Sequence, residues 1–180
     1  MINSKSDYLQ YKQMDAENGT FNNNLKEYIF NDIWRFLRAL RYAEYIHNTK
    51  HGSLWKVYKL YVKFRFKSIG KKLGFSIPMN VFGPGLTLPH FGNIVVSSYA
   101  KIGANCKVHV GVNIGAAYNR PKDAPTLGDN CYIGPGAKLF GNITLGDRVQ
   151  IGANAVVNKS FTEEGAVLVG MPAKKLNKSD

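Results

Sequence analysis

From Ile102 onward a six-residue pattern repeats, and it limits what this chain can fold into more than any other feature. The windows IGANCK (102), VHVGVN (108) and IGAAYN (114) run without a gap. After an insertion come LGDNCY (127), IGPGAK (133), LFGNIT (139), LGDRVQ (145), IGANAV (151) and VNKSFT (157). The first column is aliphatic throughout, from Ile102 to Val157, and the second is mostly glycine. The fifth column holds Cys106, Val112, Tyr118, Cys131, Ala137, Ile143, Val149, Ala155 and Phe161, mostly small or aliphatic. A period of six matches neither the 3.6 of an α-helix nor the 2 of a half-buried strand. It fits a triangular parallel β-helix, in which each hexapeptide forms one flat side and three form a coil. First-column side chains then stack along the interior, and fifth-column residues fill the space near the axis. Glycine in the second column is expected to give the backbone the freedom a corner needs. Cys106 and Cys131 both fall in the inward column, so they read as core packing. Two cysteines without CxxC spacing form no disulfide framework and suit a reducing compartment.

Residues 1–74 follow a different grammar, and the reading divides the chain into a helical segment, 1–74, and a β-helix domain with a C-terminal tail, 75–180. LKEYIFNDIWRFLRALRYAEYI (25–46) carries Tyr28, Ile29, Ile33, Phe36, Leu37 and Leu40 at the spacing of an amphipathic helix. HNTKHGS (47–53) punctuates it. A second helical run from Ser53 to about Ile69 is expected to close at Gly70 or Gly74. The fold class is therefore mainly β, with an N-terminal α-helical segment.

The net charge is +12, and residues 56–72 hold seven Lys and Arg with no acid between them. Such a block suits nucleic acid, an anionic membrane surface, a phosphorylated ligand or simply a solvated helix face. No helix-turn-helix, RNP or zinc-finger pattern accompanies it, so nucleic acid is not expected as a partner. The polar N-terminus lacks the form of a secretory signal, and no apolar run approaches the roughly 20 residues that span a bilayer. The expected location is cytoplasmic, with contact at the inner membrane face through 55–72.

The repeat resembles the hexapeptide acyltransferase superfamily. FSIPMNVFGPGLTLPHFGNIVVSSYAKIG (75–103) is similar to the β-helix entry of serine O-acetyltransferases, and closer to shorter enzymes that acetylate sugars in polysaccharide biosynthesis. IGPGAKLFGNITLGDRVQIGANAVV (133–157) and GMPAKKL (170–176) resemble the distal coils and tail. The resemblance implies a left-handed coil, against the usual hand of parallel crossovers. It also implies acetyl-CoA as co-substrate, no metal, and a homotrimer with grooves between subunits.

Acetyl transfer from a thioester to a hydroxyl needs a base for the hydroxyl proton, a stabilised oxyanion and a held donor. Histidine suits the first task because its pKa lies near neutrality. His90, in LPHFGNIVV, stands where the family places its catalytic histidine. His109 follows about one coil later, and reads either as an acceptor- or CoA-facing group or as a surface residue. His47 and His51 read as helix-end residues. For CoA the resemblance points to Gly134, Pro135 and Ala153 along the pantetheine arm. Lys174 and Lys175 would meet the phosphates, or form a generic basic tail.

The chain departs from the family in three places. No acid stands in the stretch Gly74 to Pro78, where the resemblance would put the carboxylate that orients the histidine. Pro89 replaces an Asp before His90. Asp123-Ala124 stands where an Arg-His pair would hold an amino acid substrate. Lost charged partners for an ammonium and a carboxylate favour a sugar hydroxyl of a capsule, exopolysaccharide or lipopolysaccharide precursor as acceptor. L-serine, for cysteine synthesis, is the alternative. A zinc hydratase on the same coil would need three histidine ligands. A non-catalytic β-helical scaffold would be indifferent to loss of His90.

Overall fold

The computed structural model describes residues 1–21 and 25–176. Residues 22–24 and the last four of the expected tail, 177–180, lie outside them. Four helices come first, α1 (Lys5–Asn18), α2 (Leu25–Phe30), α3 (Asp32–Thr49) and α4 (Ser53–Leu73). Ser4 caps α1, its hydroxyl accepting from the Asp7 N–H at 3.0 Å, while the Asp7 carboxylate accepts from the Asn3 N–H at 2.8 Å. Those bonds hold the Asp7 carboxyl below its ordinary pKa, the Asn3 contact most of all.

The helix expected over 25–46 is two helices. Asn31 breaks it, its side chain accepting from the Trp34 N–H at 3.0 Å as the N-cap of α3. The apolar stripe divides accordingly. Phe36, Leu37 and Leu40 are fully buried, whereas Tyr28 and Ile29 lie exposed on α2. Gly70 does not close α4 but sits inside it, where a Cβ would lie 2.9 Å from the Phe75 carbonyl oxygen and 3.2 Å from the Phe36 ring. The helix ends at Gly74, whose left-handed φ of 79° accepts the turn.

The strands build a left-handed parallel β-helix of three faces. One face stacks β1 (Phe75–Ser76), β2 (Ile94–Val96), β5 (Asn113–Gly115), β8 (Lys138–Phe140) and β11 (Val156–Val157). A second stacks β4 (Lys107–Val108), β7 (Tyr132–Ile133), β10 (Gln150–Ile151) and β12 (Val167–Gly170), closed by the antiparallel β13 (Ala173–Lys175). The third stacks β3 (Lys101–Ile102), β6 (Thr126–Leu127) and β9 (Thr144–Leu145). Ile102 pairs with Leu127 and Leu127 with Leu145, so the insertion between Ala116 and Pro125 lengthens one coil without breaking the stack.

Every first-column residue from Ile102 to Val157 is at most 4% exposed. Each contributes about 1.5–3 kcal/mol of burial. Both cysteines are buried and unpaired in the same core. Tyr118 departs from the inward column; it lies in the insertion and is 91% exposed.

The second-column glycines serve space rather than conformation. A Cβ on Gly103 would lie 2.6 Å from the Gly128 carbonyl oxygen, and one on Gly134 2.6 Å from that of Ile151. Successive coils approach too closely there for a side chain. The left-handed corner falls two positions later, on Asn105, Asn130, Arg148 and Asn154, with Gly111 and Gly136 at the equivalent places. Between coils, the Asp147 carboxylate accepts from the Asp129 N–H at 2.8 Å and that of Asp129 from the Ala104 N–H at 2.7 Å.

A buried ionic cluster joins the helices to the first coil. Arg41 of α3 donates to Asp15 of α1 (2.7 and 3.2 Å), to Glu44 (3.0 Å) and to the carbonyls of Phe82 (3.0 Å) and Gly83 (2.7 Å). Asp15 also accepts the Leu86 N–H at 2.9 Å, and Glu44 that of Asn80 at 2.7 Å. Burial alone would lower the Arg41 pKa; the two carboxylates more than reverse it.

Candidate active site

His90 sits in the first coil's corner, between the pairing of Thr87 with Lys107 and the start of β2. The chain is pinned on both sides of it. The Gly92 N–H donates to the Leu73 carbonyl at 2.9 Å, and the Gly111 N–H to the Asn93 carbonyl at 2.7 Å. Gly92, at φ 139°, leaves no room for a Cβ, which would meet Val110 Cγ2 at 2.4 Å. The backbone is therefore fixed while the imidazole of His90 is exposed. No hydrogen bond ties that ring to another described residue.

His109 follows β4 directly, its N–H donating to the Ile133 carbonyl at 3.1 Å. Its ring lies 5.0 Å from that of Tyr132, tilted by 57°. Nε2 of His109 is buried without a hydrogen-bond partner among the described residues. Burial lowers the His109 pKa, and the charges of Lys107 and His90 lower it further. His90 and His109 thus interact electrostatically, and burial favours the neutral form of the His109 ring.

Below His109 the same corner line continues. The Gly134 N–H donates to the Ile151 carbonyl at 2.8 Å, and the Gly152 N–H to the Leu168 carbonyl at 2.8 Å. A Cβ on Gly134 would lie 3.0 Å from the Ala153 nitrogen, so Gly134 and Ala153 are neighbours on successive coils. Pro135 and Ala153 are exposed and Gly134 is buried. The Pro135 carbonyl is already taken by the Asn154 N–H at 2.9 Å. Beyond Gly152, Val169 on β12 faces Lys174 on β13. From His90 to Lys174 the line crosses about five inter-strand spacings, roughly 24 Å.

The two basic tail residues differ. Lys175 Nζ is held by Glu163 at 2.5 and 2.6 Å. Lys174 makes no ion pair among the described residues and is exposed. Tyr132 was not singled out in the sequence. Its signal was its place just before the first-column Ile133, which turns it outward, two residues from Gly134. Among the described residues no three His, Cys, Asp or Glu side chains gather to hold a metal ion. No helix among them is long and apolar enough to cross a membrane.

Residues 124–159 match the family model for the bacterial transferase hexapeptide (six repeats). A serine acetyltransferase of Helicobacter pylori is 39% identical over 97 residues, which is 53% of this chain and 56% of that one. The chain spans 40% to 56% of the length of such curated relatives. Among solved structures, serine acetyltransferase of Neisseria gonorrhoeae superposes with a TM-score of 0.76 at 21% identity, covering 98% of this chain and 68% of that one. A serine acetyltransferase in complex with CoA superposes at 0.73 and 21% identity, covering 96% and 71%. The chain is thus similar to serine acetyltransferases over about half of its length, and shares their fold.

Proposed function

We propose that this chain moves an acetyl group from acetyl-CoA to a hydroxyl, with His90 as general base in a direct ternary complex. One observation carries the reading. An exposed imidazole on a fixed backbone stands at one end of a corner line whose other members are a small-residue ledge and a lysine unpaired among the described residues. His90 takes the acceptor's proton as its oxygen attacks the thioester carbonyl. The carbon–sulfur bond then breaks, and the thiolate leaves with that proton as CoA thiol. His109, whose neutral form burial favours, orients the acceptor. Gly134, Pro135 and Ala153 line the pantetheine arm, and Lys174 meets the phosphates as a point charge. Lys175 is the weaker candidate because Glu163 already engages it. The solved neighbour with CoA supports acetyl-CoA as donor.

For the acceptor, the curated relatives are serine acetyltransferases, which supports L-serine. That reverses the order suggested by the residues around His90 alone, where a sugar hydroxyl came first. A specific observation keeps the sugar as a second reading. His90 is flanked by Pro89 and by Phe91, which is 69% exposed, and Ala124 in the loop is buried at 5%. Asp123 is engaged by Arg120 at 3.3 Å. Neither flank offers a charge to an ammonium or a carboxylate. The homotrimer belongs to the same reading, supported by outward apolar side chains: Phe91 next to His90, and Val95 (37% exposed) and Phe140 (44%) on the face that follows.

A thiol-release assay with acetyl-CoA tests this, comparing L-serine with nucleotide-activated and free sugars. Rapid turnover with serine establishes the first acceptor, and turnover with sugars alone the second. No CoA release with either class, or release indifferent to His90→Ala, would overturn the transferase reading.

A further inference from the structure

Helix α4 is apolar on two opposite sides. Val62, Phe66 and Leu73 point into the molecule and are buried. At about 100° per residue the opposite side carries Leu60, Phe64 and Val57, which are 69%, 71% and 75% exposed. Leu54 (90%) and Tyr61 (57%) extend the stripe. A helix that only covers a core turns polar residues outward; this one turns outward a contiguous apolar run. Exposed Lys56, Lys63 and Lys67 border one flank.

The other flank opens into a cavity of about 330 Å³ between α4 and the helices before it. Lys12, Arg35, Arg38 and Arg65 line it together with tyrosines, and among the described residues no carboxylate does. Arg35 is engaged by Asp32 at 2.8 Å. Arg38 lies 3.5 Å over the Tyr28 ring and donates from Nη2 to the Tyr28 carbonyl, while its Nε is buried with no partner among the described residues. The cavity is thus a cationic recess directly beside the apolar stripe.

We propose that the outward face of α4 docks on an anionic phospholipid surface, with Val57, Leu60 and Phe64 in the acyl boundary and a lipid phosphate in the Arg38 recess. Apolar centre and cationic flanks match the layering of an anionic bilayer surface. A second copy of the chain fits worse. A two-fold pairing of this face would set the lysine row against either the partner's lysine row or its Arg65 flank, cation against cation in both cases. The inference stands on α4 and its cavity and needs no assumption about acetyl transfer.

The test is cosedimentation of the full chain with vesicles of phosphatidylcholine alone or mixed with phosphatidylglycerol. Binding is expected on the mixed vesicles at low salt, falling as salt rises. The double variant Leu60→Glu/Phe64→Glu, at exposed positions, should lose about tenfold or more in vesicle affinity while keeping its thermal unfolding profile. Arg65→Gln should weaken binding to mixed vesicles alone. Absence of binding at low salt, or equal binding by the double variant, would overturn the proposal. So would a vesicle-free dimer in the ultracentrifuge that the double variant dissolves, which assigns the face to a second copy.

Discussion

Replacing Arg41 by Met tests whether the ionic cluster fastens the helical segment to the β-helix. Arg41 is fully buried and supplies five hydrogen bonds, three to carboxylates and two to the carbonyls of Phe82 and Gly83. Met fills similar volume but gives none of these. Asp15 and Glu44 then stay buried, each with one backbone N–H, from Leu86 and Asn80, as partial compensation. Breaking a buried ion pair while leaving its partner costs about 3–5 kcal/mol. Two retained N–H contacts and two orphaned carbonyls roughly offset, so a loss of about 4 kcal/mol is expected. For a chain of this size that is a fall in Tm of roughly 8–16 °C. Urea unfolding followed through the buried Trp34 measures it. The triple variant Asp15→Asn/Arg41→Met/Glu44→Gln keeps acceptors for Leu86 and Asn80 without the stranded charges, and should recover at least half of the loss. A single-variant loss below about 1 kcal/mol, or a triple variant as unstable as the single, would refute the reasoning.

Four further outcomes follow from the site and the core. His90→Ala should reduce turnover roughly 100- to 10,000-fold with unchanged unfolding, read from CoA release and thermal melts; a smaller effect removes the general base. His109 should titrate below 6.5 by NMR, and His90→Ala should move it upward, since His90 is one of the groups that lower it. Because the folded state then binds fewer protons than the unfolded one, His109 makes stability fall as pH drops through 6.5, and its replacement by Gln should flatten that slope. Gly134→Ala should cost about 1–3 kcal/mol through its clash with the Ile151 carbonyl, whereas Ala153→Leu, exposed, should leave stability intact and raise KM for acetyl-CoA; an unchanged KM removes Ala153 from the cofactor groove. Cys131, its thiol pushed up to about 11 by burial first of all, should resist thiol reagents at pH 8 until the protein unfolds.

The interior of the prism was legible because one rule governs it. The first column, Ile102 to Val157, needs only periodicity to be placed inward. Glycine in the second column was found but misread, since a sequence marks a small residue without saying whether conformation or proximity requires it. Gly103 faces the Gly128 carbonyl at a distance that only assembled coils create. Arg41 was invisible for the same reason. Its partners Asp15 and Phe82 lie 26 and 41 positions away, and a charge in a helix reads as solvent-facing until the first coil packs on it. The spacing of His90 and His109 suggested a shared corner. The pairing step nevertheless changes between Thr87–Lys107 and Val95–Asn113, so a constant period alone misplaces the second ring.

A filled prism has consequences for where chemistry can happen. Aliphatic columns occupy the axis, so every group able to act must stand on an outer face or a corner, as His90, His109, Ala153 and Lys174 do. A single chain can fix the backbone of such a group, and here Leu73, Asn93 and Val110 do so for His90. It encloses the ring on one side only. What orients the imidazole and excludes water must then come from the other side: the acceptor, the CoA arm, or an adjoining prism. Exposed Phe91 beside His90, and Phe140 at the far end of the face that starts there, are surface such a neighbour would cover, and this links the proposed trimer to the proposed base. A monomeric variant with Phe140→Glu should therefore keep its fold and lose turnover together with assembly. A fully active monomer would separate the two.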